Sequence, residues 1–267
     1  MDRSAYKLET IKSKDNSLIK DIKKLKDKKY RIESSRFLIE GFRFIGEALQ
    51  SDFIVPLVFV SGSALDRWKS FNMQAKVQEN TKVYFVTDQI LKIISSTDTP
   101  QGIVAVVNNK NIEVENKQGF YILVDKVQDP GNMGTIIRTA HAAGALGVVI
   151  TKGTVEIYNE KTLRSTMGSI FHIPIIYDID LESVKTLKSN GFRLVVSSLD
   201  TDKNFYDIDL NDRVILAVGN EGSGISDELI NIADVKIKIP MPGGAESLNV
   251  SVAASIMMFE AVRQKLK

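Results

Sequence analysis

Three loops of the sequence combine glycine with polar or charged side chains: residues 125–140, 219–226 and 239–256. We expect each of them to follow a strand of a parallel sheet. In an open parallel sheet, ligands bind in the crevice beyond the carboxyl ends of the strands. The three loops are therefore the places where the sequence predicts chemistry.

The first loop places a cation close to the end of a strand. It directly follows the apolar run 121–124, and Asn132 is suited to begin the next helix as its N-cap. Gly134 permits a close backbone approach. Arg138 lies within two turns of the strand's carboxyl end, which favours a role at a ligand. The alternative is a surface salt bridge, the commonest role of an arginine on such a helix.

The second loop resembles a phosphate cradle but departs from both standard forms. A Walker A loop needs Lys and then Ser or Thr after its second glycine, yet Ile225 follows Gly224, and the glycine spacing does not match a dinucleotide-binding fingerprint. Glu221 would repel a phosphate and suits a ligand with hydroxyls or a positive charge, such as a sulfonium nucleoside. The alternative is a tight turn with a helix cap at Ser226.

The third loop leads into an apolar helix. Side chains that recur at helical spacing are expected to face the core, so the methionines are not interpreted as a cofactor site: Val250, Ala253, Ala254, Met257, Met258 and Ala261. Ser247 and Asn249 bring hydrogen-bonding groups to the junction of loop and helix. Either residue could also simply cap the helix.

The elements that position these loops alternate between strand and helix, which predicts an α/β fold. An amphipathic helix is predicted over residues 16–32, and the polar stretch 108–117 predicts a linker. We expect a basic helical arm, a small N-terminal α/β domain and a C-terminal domain, at residues 1–32, 33–110 and 118–267. The last domain is predicted to be a parallel sheet with helices on both faces, from strand candidates at residues 120–124, 147–150, 173–176, 193–197 and 214–218.

Composition excludes several kinds of site. Cysteine is absent, and only His141 and His172 offer imidazoles, so we expect no metal site and interpret both histidines as structural. No run approaches eighteen apolar residues, and residues 1–29 lack an apolar signal core, which predicts a cytoplasmic protein without a membrane segment. Residues 1–36 hold twelve Lys or Arg against six Asp or Glu. That surplus is typical of a phosphate-binding arm, or of a solvated helix surface.

Together, the three loops resemble the motifs of one enzyme family. The similarity is to motifs one, two and three of the SpoU (TrmH-type) class of SPOUT methyltransferases, carried by Asn132-x-Gly134 with Arg138, by Asn220-Glu221-Gly222-x-Gly224, and by Ser247-Leu248-Asn249-Val250-Ser251. This match spans residues 120–265. Residues 37–41 and 99–103 resemble the small ribosomal-protein-type substrate-binding domain of the same family.

The resemblance implies an S-adenosylmethionine-dependent RNA methyltransferase that acts on a ribose 2′-hydroxyl. It also implies a C-terminal domain tied into a trefoil knot, and a homodimer whose active site uses both subunits. Family positions regarded as catalytic or site-forming correspond to Arg138, Asn132, Glu221, Ser247 and Asn249. Cofactor-binding positions correspond to Gly219, Ile239 and Leu248, largely through their backbone, with Ser197 and Leu199 beside the adenosine, and to Asn220 and Met241.

Within this resemblance Arg138 is the proposed activator of the ribose hydroxyl. Because a guanidinium stays protonated in proteins, we interpret its role as orienting the hydroxyl and stabilising negative charge on the oxygen. The RNA phosphate or Glu221 could accept the proton, and the sequence does not choose between them. Arg164 or Ser165, in the segment 164–169, resembles a family element near the RNA. The alternative for that segment is a helix start before the next strand.

The expected partner is a structured RNA. An N-terminal ribosomal-protein-type module resembles the ribosomal-RNA branch of the family more than the transfer-RNA branch, so 23S rRNA is the favoured target. Two other functions remain open, a transfer-RNA 2′-O-methyltransferase and a non-catalytic RNA-binding protein of the same fold. A protein that only binds RNA has no need of Arg138, Glu221 and Asn249 together, which argues against the second.

Overall fold

The computed structural model describes residues 9–110 and 112–266, which cluster into two compact units. The first unit extends to Lys110 and also includes Tyr158–Leu163, and the second comprises the other described residues. The predicted linker lies at the boundary, and the described residues between the last strand of the first unit and the first strand of the second form neither helix nor strand. Residue 111 of that linker lies outside the described residues.

The described residues form strands and helices in alternation. The strands are β1 (Glu9–Ile11), β2 (Arg36–Glu40), β3 (Leu57–Ser61), β4 (Lys82–Val86), β5 (Ile103–Asn108), β6 (Phe120–Val124), β7 (Gly147–Thr151), β8 (Ile175–Asp178), β9 (Arg193–Ser197), β10 (Val214–Val218) and β11 (Val235–Ile237). The α-helices are α1 (Ser17–Lys24), α2 (Lys28–Ser34), α3 (Phe42–Leu49), α4 (Leu65–Ser70), α5 (Asp88–Ile94), α6 (Pro130–Ala142), α7 (Glu160–Thr166), α8 (Glu182–Ser189), α9 (Asp227–Ile232) and α10 (Val250–Lys265). Short 3-10 turns lie at Gly62–Ala64, Met73–Lys76, Ser169–Phe171 and Phe205–Asp207.

The first unit is built on a mixed sheet with the strand order β1-β4-β3-β5-β2. β5 runs antiparallel to β2 and β3, whereas β4 is parallel to β1 and β3. Helix α1 contributes Ile19 and Ile22 to the core of this unit, where they pack with Phe59 and Ile90. The segment predicted to be a separate arm is therefore part of the first unit wherever it is described, and residues 1–8 of that arm lie outside the described residues.

The single helix predicted over residues 16–32 is wrong, because the structure has two helices there. Helix α1 ends at the C-cap Leu25, and the side chain of Asp27 accepts a hydrogen bond from the backbone N–H of Tyr30 to begin α2. An aspartate at an N-cap satisfies an orphan backbone donor and thereby favours a new helix start. Ile32, the last apolar residue of that predicted helix, is exposed.

The second unit contains a six-stranded sheet with the order β11-β9-β10-β6-β7-β8, in which every pair is parallel. Strands β6, β7 and β10 are buried along their full length, as the apolar runs predicted. The predicted strand 173–176 begins later, as β8, because Pro174 has no N–H to donate to a sheet. The three-residue strands β1 and β11 were not predicted, since they are too short to show a periodicity.

The parallel sheet brings the chemically interesting loops to one edge. Because β9, β10, β6 and β7 are neighbours and run in the same direction, the segments that follow them leave the sheet side by side. Helix α10 packs against α6 and β10, so the third loop approaches the same edge. Among the described residues, no helix is both long enough and apolar enough to cross a bilayer.

Candidate active site

The first loop starts helix α6 at a different residue from the one predicted. Asp129 is the N-cap, and its Oδ1 accepts from the backbone N–H of Asn132 at 2.8 Å. Pro130 occupies the first turn, a position where its fixed φ and missing N–H favour a helix start. The prediction that Asn132 caps the helix is therefore wrong, because the preceding aspartate already does so. The amide of Asn132 is left available for the neighbouring loops.

Glu221 of the second loop is held by three donors from the first. Its Oε1 accepts from the side-chain amide of Asn132 at 3.0 Å and from the backbone N–H of Asp129 at 3.2 Å, and its Oε2 accepts from the backbone N–H of Gln128 at 3.1 Å. Partial burial raises the pKa of Glu221, but these hydrogen bonds outweigh it, so the net pKa is lowered. The carboxylate is thus stabilised in its charged form.

Asn249 joins the third loop to the other two. Its Oδ1 accepts from the backbone N–H groups of Ser251 and Val252 and thereby caps helix α10. With the oxygen committed to the cap, its Nδ2 donates to Oδ1 of Asn132 at 2.9 Å. The helix-cap alternative for Asn249 is therefore confirmed, whereas its catalytic or site-forming role stays a prediction. The residues Asn249, Asn132 and Glu221 form a hydrogen-bonded series, called here the motif bridge, that connects all three predicted motifs.

The second loop closes tightly on itself. The backbone of Asn220 exchanges two hydrogen bonds with Gly224, at 2.8 and 3.0 Å. A Cβ at Gly219 would lie 2.2 Å from the carbonyl carbon of Gly224, so no other residue fits there without moving the loop. Ser226 is the N-cap of helix α9, but its side chain makes no capping hydrogen bond.

Arg138 is exposed on helix α6, two turns beyond the start of the helix. Nothing in the described part of the chain forms a salt bridge or hydrogen bond with its guanidinium. Arg138 follows Asn132 by six residues, so the two side chains leave the helix about 120° apart around its axis. The salt-bridge alternative for this arginine therefore finds no support in the structure.

The predicted cofactor residues follow the carboxyl ends of three neighbouring strands. Ser197 ends β9, Gly219 directly follows β10, and Ile239 lies two residues beyond β11. Asn220 lies in the closed second loop, and Leu199, Met241 and Leu248 lie in the segments that follow these strands or precede α10. Leu199 and Leu248 are exposed. Ser247 is also exposed, and the structure does not bring it into the motif bridge.

Asp125 was not predicted as a site residue; it directly follows β6 and is 1% exposed. Its Oδ1 accepts from the Thr151 hydroxyl and its Oδ2 from the backbone N–H of Ser226, each at 2.7 Å. The carboxylate therefore ties the ends of β6 and β7 to the residue that ends the second loop. An acidic residue next to a fully apolar strand is the signal that could have revealed it.

The two histidines and the segment 164–169 lie elsewhere in this unit or at its boundary. The rings of His141 and His172 stack with centroids 5.1 Å apart, and Nδ1 of His141 is 3.2 Å from the Ser169 hydroxyl. No cluster of potential metal ligands occurs among the described residues. Helix α7 ends within the segment 164–169, and the helix start within that segment is a short 3-10 turn that begins at Ser169. The role of Arg164 or Ser165 near RNA stays a prediction.

The part of the chain that contains the motif bridge matches a known protein family. Residues 119–259 match the SpoU rRNA Methylase family, and residues 16–105 match the MRM3-like substrate binding domain. The chain belongs to the SpoU rRNA methylase family. The predicted resemblance is confirmed, and the α/β fold with its parallel-sheet domain agrees with the structures of relatives.

Individual relatives of this SpoU rRNA methylase match almost its full length. The chain is 36% identical over 252 residues to the 23S rRNA (guanosine(2553)-2′-O)-methyltransferase RlmP of Bacillus subtilis, covering 94% of this chain and 98% of that protein. An AdoMet-bound rRNA methyltransferase from Sinorhizobium meliloti superposes with a TM-score of 0.85 at 30% identity, over 97% and 99% of the two chains. AviRb from Streptomyces viridochromogenes, also with AdoMet, gives a TM-score of 0.85 at 27% identity over 94% and 98%.

Proposed function

We propose that this protein transfers the methyl group of S-adenosylmethionine to a ribose 2′-hydroxyl of 23S rRNA. The observation that carries the proposal is the motif bridge, which joins Asn249, Asn132 and Glu221 across the ends of the parallel sheet. A site that only binds RNA gains nothing from a charged carboxylate, which repels phosphate. The names of the relatives, rRNA 2′-O-methyltransferases among them, support the same reaction.

The residues at the strand ends suit S-adenosylmethionine by their chemistry. The segments after β9, β10 and β11 offer backbone groups near Ser197, Gly219 and Ile239, and exposed Leu199 and Leu248 offer apolar surface for a purine. We assign Asn220 and Met241 to the same cofactor site. When bound, the cofactor supplies an electrophilic methyl group on a sulfonium.

The residues of the chain then have distinct roles in our mechanism. Arg138 orients the ribose hydroxyl and stabilises negative charge on its oxygen. Both carboxylate oxygens of Glu221 accept hydrogen bonds from the first loop, so the side chain is committed to holding that loop and Asn132 in place. We therefore assign Glu221 the positioning of Asn132, and the proton to an RNA phosphate. Ser247, exposed at the same junction, is assigned to substrate contact.

We assign RNA capture to the first unit, in which α1 and α2 of the predicted arm join the predicted domain 33–110, and methyl transfer to the second unit, which holds the predicted domain 118–267 except Tyr158–Leu163. The match of residues 16–105 to a substrate binding domain supports this division. The described lysines of α1 and α2 are mostly exposed and add positive charge to the RNA-capturing unit. An rRNA substrate also implies a cytoplasmic location.

We further infer a homodimer with a knotted C-terminal domain. Helix α10 exposes Val252 and Phe259, at 46% and 49%, with half-buried Ile256 between them on the same helix face. An apolar stripe of this kind suits burial against a second copy of the chain. The trefoil knot is proposed from membership of the family alone, and a backbone trace of an experimental structure would test it.

The deciding experiment incubates the purified full chain with methyl-labelled S-adenosylmethionine and RNA from cells that lack the protein. We expect label in 23S rRNA, at a site that resists alkaline cleavage because its 2′-oxygen is blocked. Arg138→Ala is expected to lower the rate by a factor of about 10² or more while cofactor binding persists. Label in transfer RNA alone would support the transfer-RNA enzyme, and RNA binding without label would support the non-catalytic protein.

A further inference from the structure

Lys126 has a backbone conformation that lysine rarely adopts. It is the second residue after β6, and its φ of 55° lies in the left-handed region, where glycine is the usual residue. The surrounding loop enforces this conformation. The Lys126 N–H donates to the hydroxyls of Thr154 and Thr151 at 2.9 and 3.3 Å, and its carbonyl accepts from the side-chain amides of Asn220 and Gln128 at 2.8 Å each.

These backbone bonds connect Lys126 directly to the active site. Asn220 precedes Glu221, and Gln128 donates its own backbone N–H to the Glu221 carboxylate. The carbonyl of Lys126 is thus fixed by the two residues that border the motif bridge. The side chain of Lys126 therefore begins next to the loops that form the motif bridge.

The side chain itself is exposed and serves no visible structural purpose. Its stem passes Gly153, where Cγ would be in ordinary contact with an added Cβ at 3.4 Å. Within residues 9–110 and 112–266, the ammonium makes no hydrogen bond and no ion pair. A strained residue that persists in a site without a structural contact suggests a functional reason for its side chain.

We propose that Lys126 binds a backbone phosphate of the RNA substrate, next to the ribose that is methylated. The inference rests on the proposed function, because it assumes that a nucleotide lies at the motif bridge. Such a nucleotide carries phosphate on both sides of its ribose, whereas the sulfonium of the cofactor would be repelled by an ammonium. A point charge on a flexible stem suits a phosphate that is held without base specificity.

The test compares Lys126→Gly, which accepts the left-handed conformation, with Lys126→Arg, which keeps the charge. Lys265→Gln is the matched control for charge, because Lys265 lies over the ring of Phe120, at the opposite end of β6. We expect Lys126→Gly to raise the KM for 23S rRNA about five- to tenfold and to flatten the salt dependence of RNA binding by about one unit of slope. Its kcat, its affinity for S-adenosylmethionine and its melting temperature should not fall.

Rescue by Lys126→Arg and wild-type behaviour of Lys265→Gln would support the proposal. An unchanged KM and salt slope in Lys126→Gly would overturn it, and so would a loss of cofactor affinity, which would place the ammonium at the cofactor carboxylate instead. If the wild-type chain methylates no RNA, the proposed function is wrong. The phosphate-binding role of Lys126 is then tested by RNA affinity and its salt dependence, which do not depend on methylation.

Discussion

The polar side chains of the active site are held by one another. Asn249 uses its oxygen to cap α10, which turns its amide nitrogen towards Asn132, and Asn132 in turn presents its own nitrogen to Glu221. Each bond determines which end of the next amide is donor and which is acceptor. The orientation of Asn132 therefore depends on two residues that the chain supplies from distant loops.

Replacing Glu221 with glutamine should disturb this arrangement of donors and acceptors while keeping the shape of the side chain. One end of the new amide is a donor and would meet one of the donors that now face the carboxylate, from Gln128, Asp129 or Asn132. We expect the methylation rate to fall about ten- to hundredfold because Asn132 loses its anchor. Single-turnover kinetics would measure this, and a rate equal to that of the wild-type chain would contradict the positioning role.

The same variant leads to a prediction of how the free energy of unfolding depends on pH. The pKa of Glu221 is lowered from 4.5 by hydrogen bonds in the folded chain. A group with a lowered folded pKa stabilises the fold above its unfolded pKa, and this stabilisation is lost as the pH falls through the folded pKa. We therefore expect the difference in unfolding free energy between wild type and Glu221→Gln to shrink as the pH drops below about 4.5. Denaturant titrations at several pH values would measure it, and a constant difference would contradict the argument.

At the scale of elements, the site is built by strand ends that are tied together. Buried Asp125 links the ends of β6 and β7 to the start of α9, and the backbone of the second loop closes on itself between Asn220 and Gly224. A small backbone change in that loop therefore affects the edge of the whole sheet.

Two glycines of the second loop form a matched pair that tests whether the loop tolerates a change in its backbone. A Cβ at Gly219 would lie 2.2 Å from the backbone carbon of Gly224, whereas a Cβ at Gly222 would approach nothing closer than 3.6 Å. We expect Gly219→Ala to destabilise the fold by about 3 kcal/mol and to abolish cofactor binding, because the loop must move. Gly222→Ala should change stability by less than about 1 kcal/mol. Thermal unfolding and calorimetric titration would measure both, and equal effects of the two variants would refute the close-approach argument.

At the scale of the whole molecule, the apolar stripe of α10 predicts self-association. Phe259→Glu should convert a dimer to a monomer because it places a charge in a face that a second copy would bury. Phe259→Leu keeps the face apolar and serves as control. Light scattering during gel filtration would measure the mass of each variant. A monomeric wild-type chain would refute the homodimer.

The basic surface of the first unit predicts salt-sensitive RNA binding. Removal of residues 1–32 would be a poor test, because Ile19 and Ile22 are buried in the core of that unit. Lys23 and Lys28 are exposed, and replacing both with glutamine leaves those core contacts intact. We expect the slope of RNA affinity against salt to fall by about one unit for each phosphate that the variant no longer neutralises. An unchanged slope in filter-binding titrations would mean that the lysines only keep the helices in solvent.

The sequence by itself determined the parts of this protein that depend on local patterns. Apolar runs predicted β6, β7 and β10, and glycine and polar spacing identified three motifs whose family is confirmed. Runs and motifs of this kind are visible because each is contained in fewer than about twenty neighbouring residues.

Only the tertiary structure decided how those parts meet. The hydrogen bond from Asn249 to Asn132 spans 117 residues, and the bond from Asn132 to Glu221 spans 89. The burial of Asp125 and the strained backbone at Lys126 follow from the same loops packing at one edge of the sheet. Such contacts depend on the order of the strands in the sheet, which is set by long-range pairing and leaves no periodic signal in the chain.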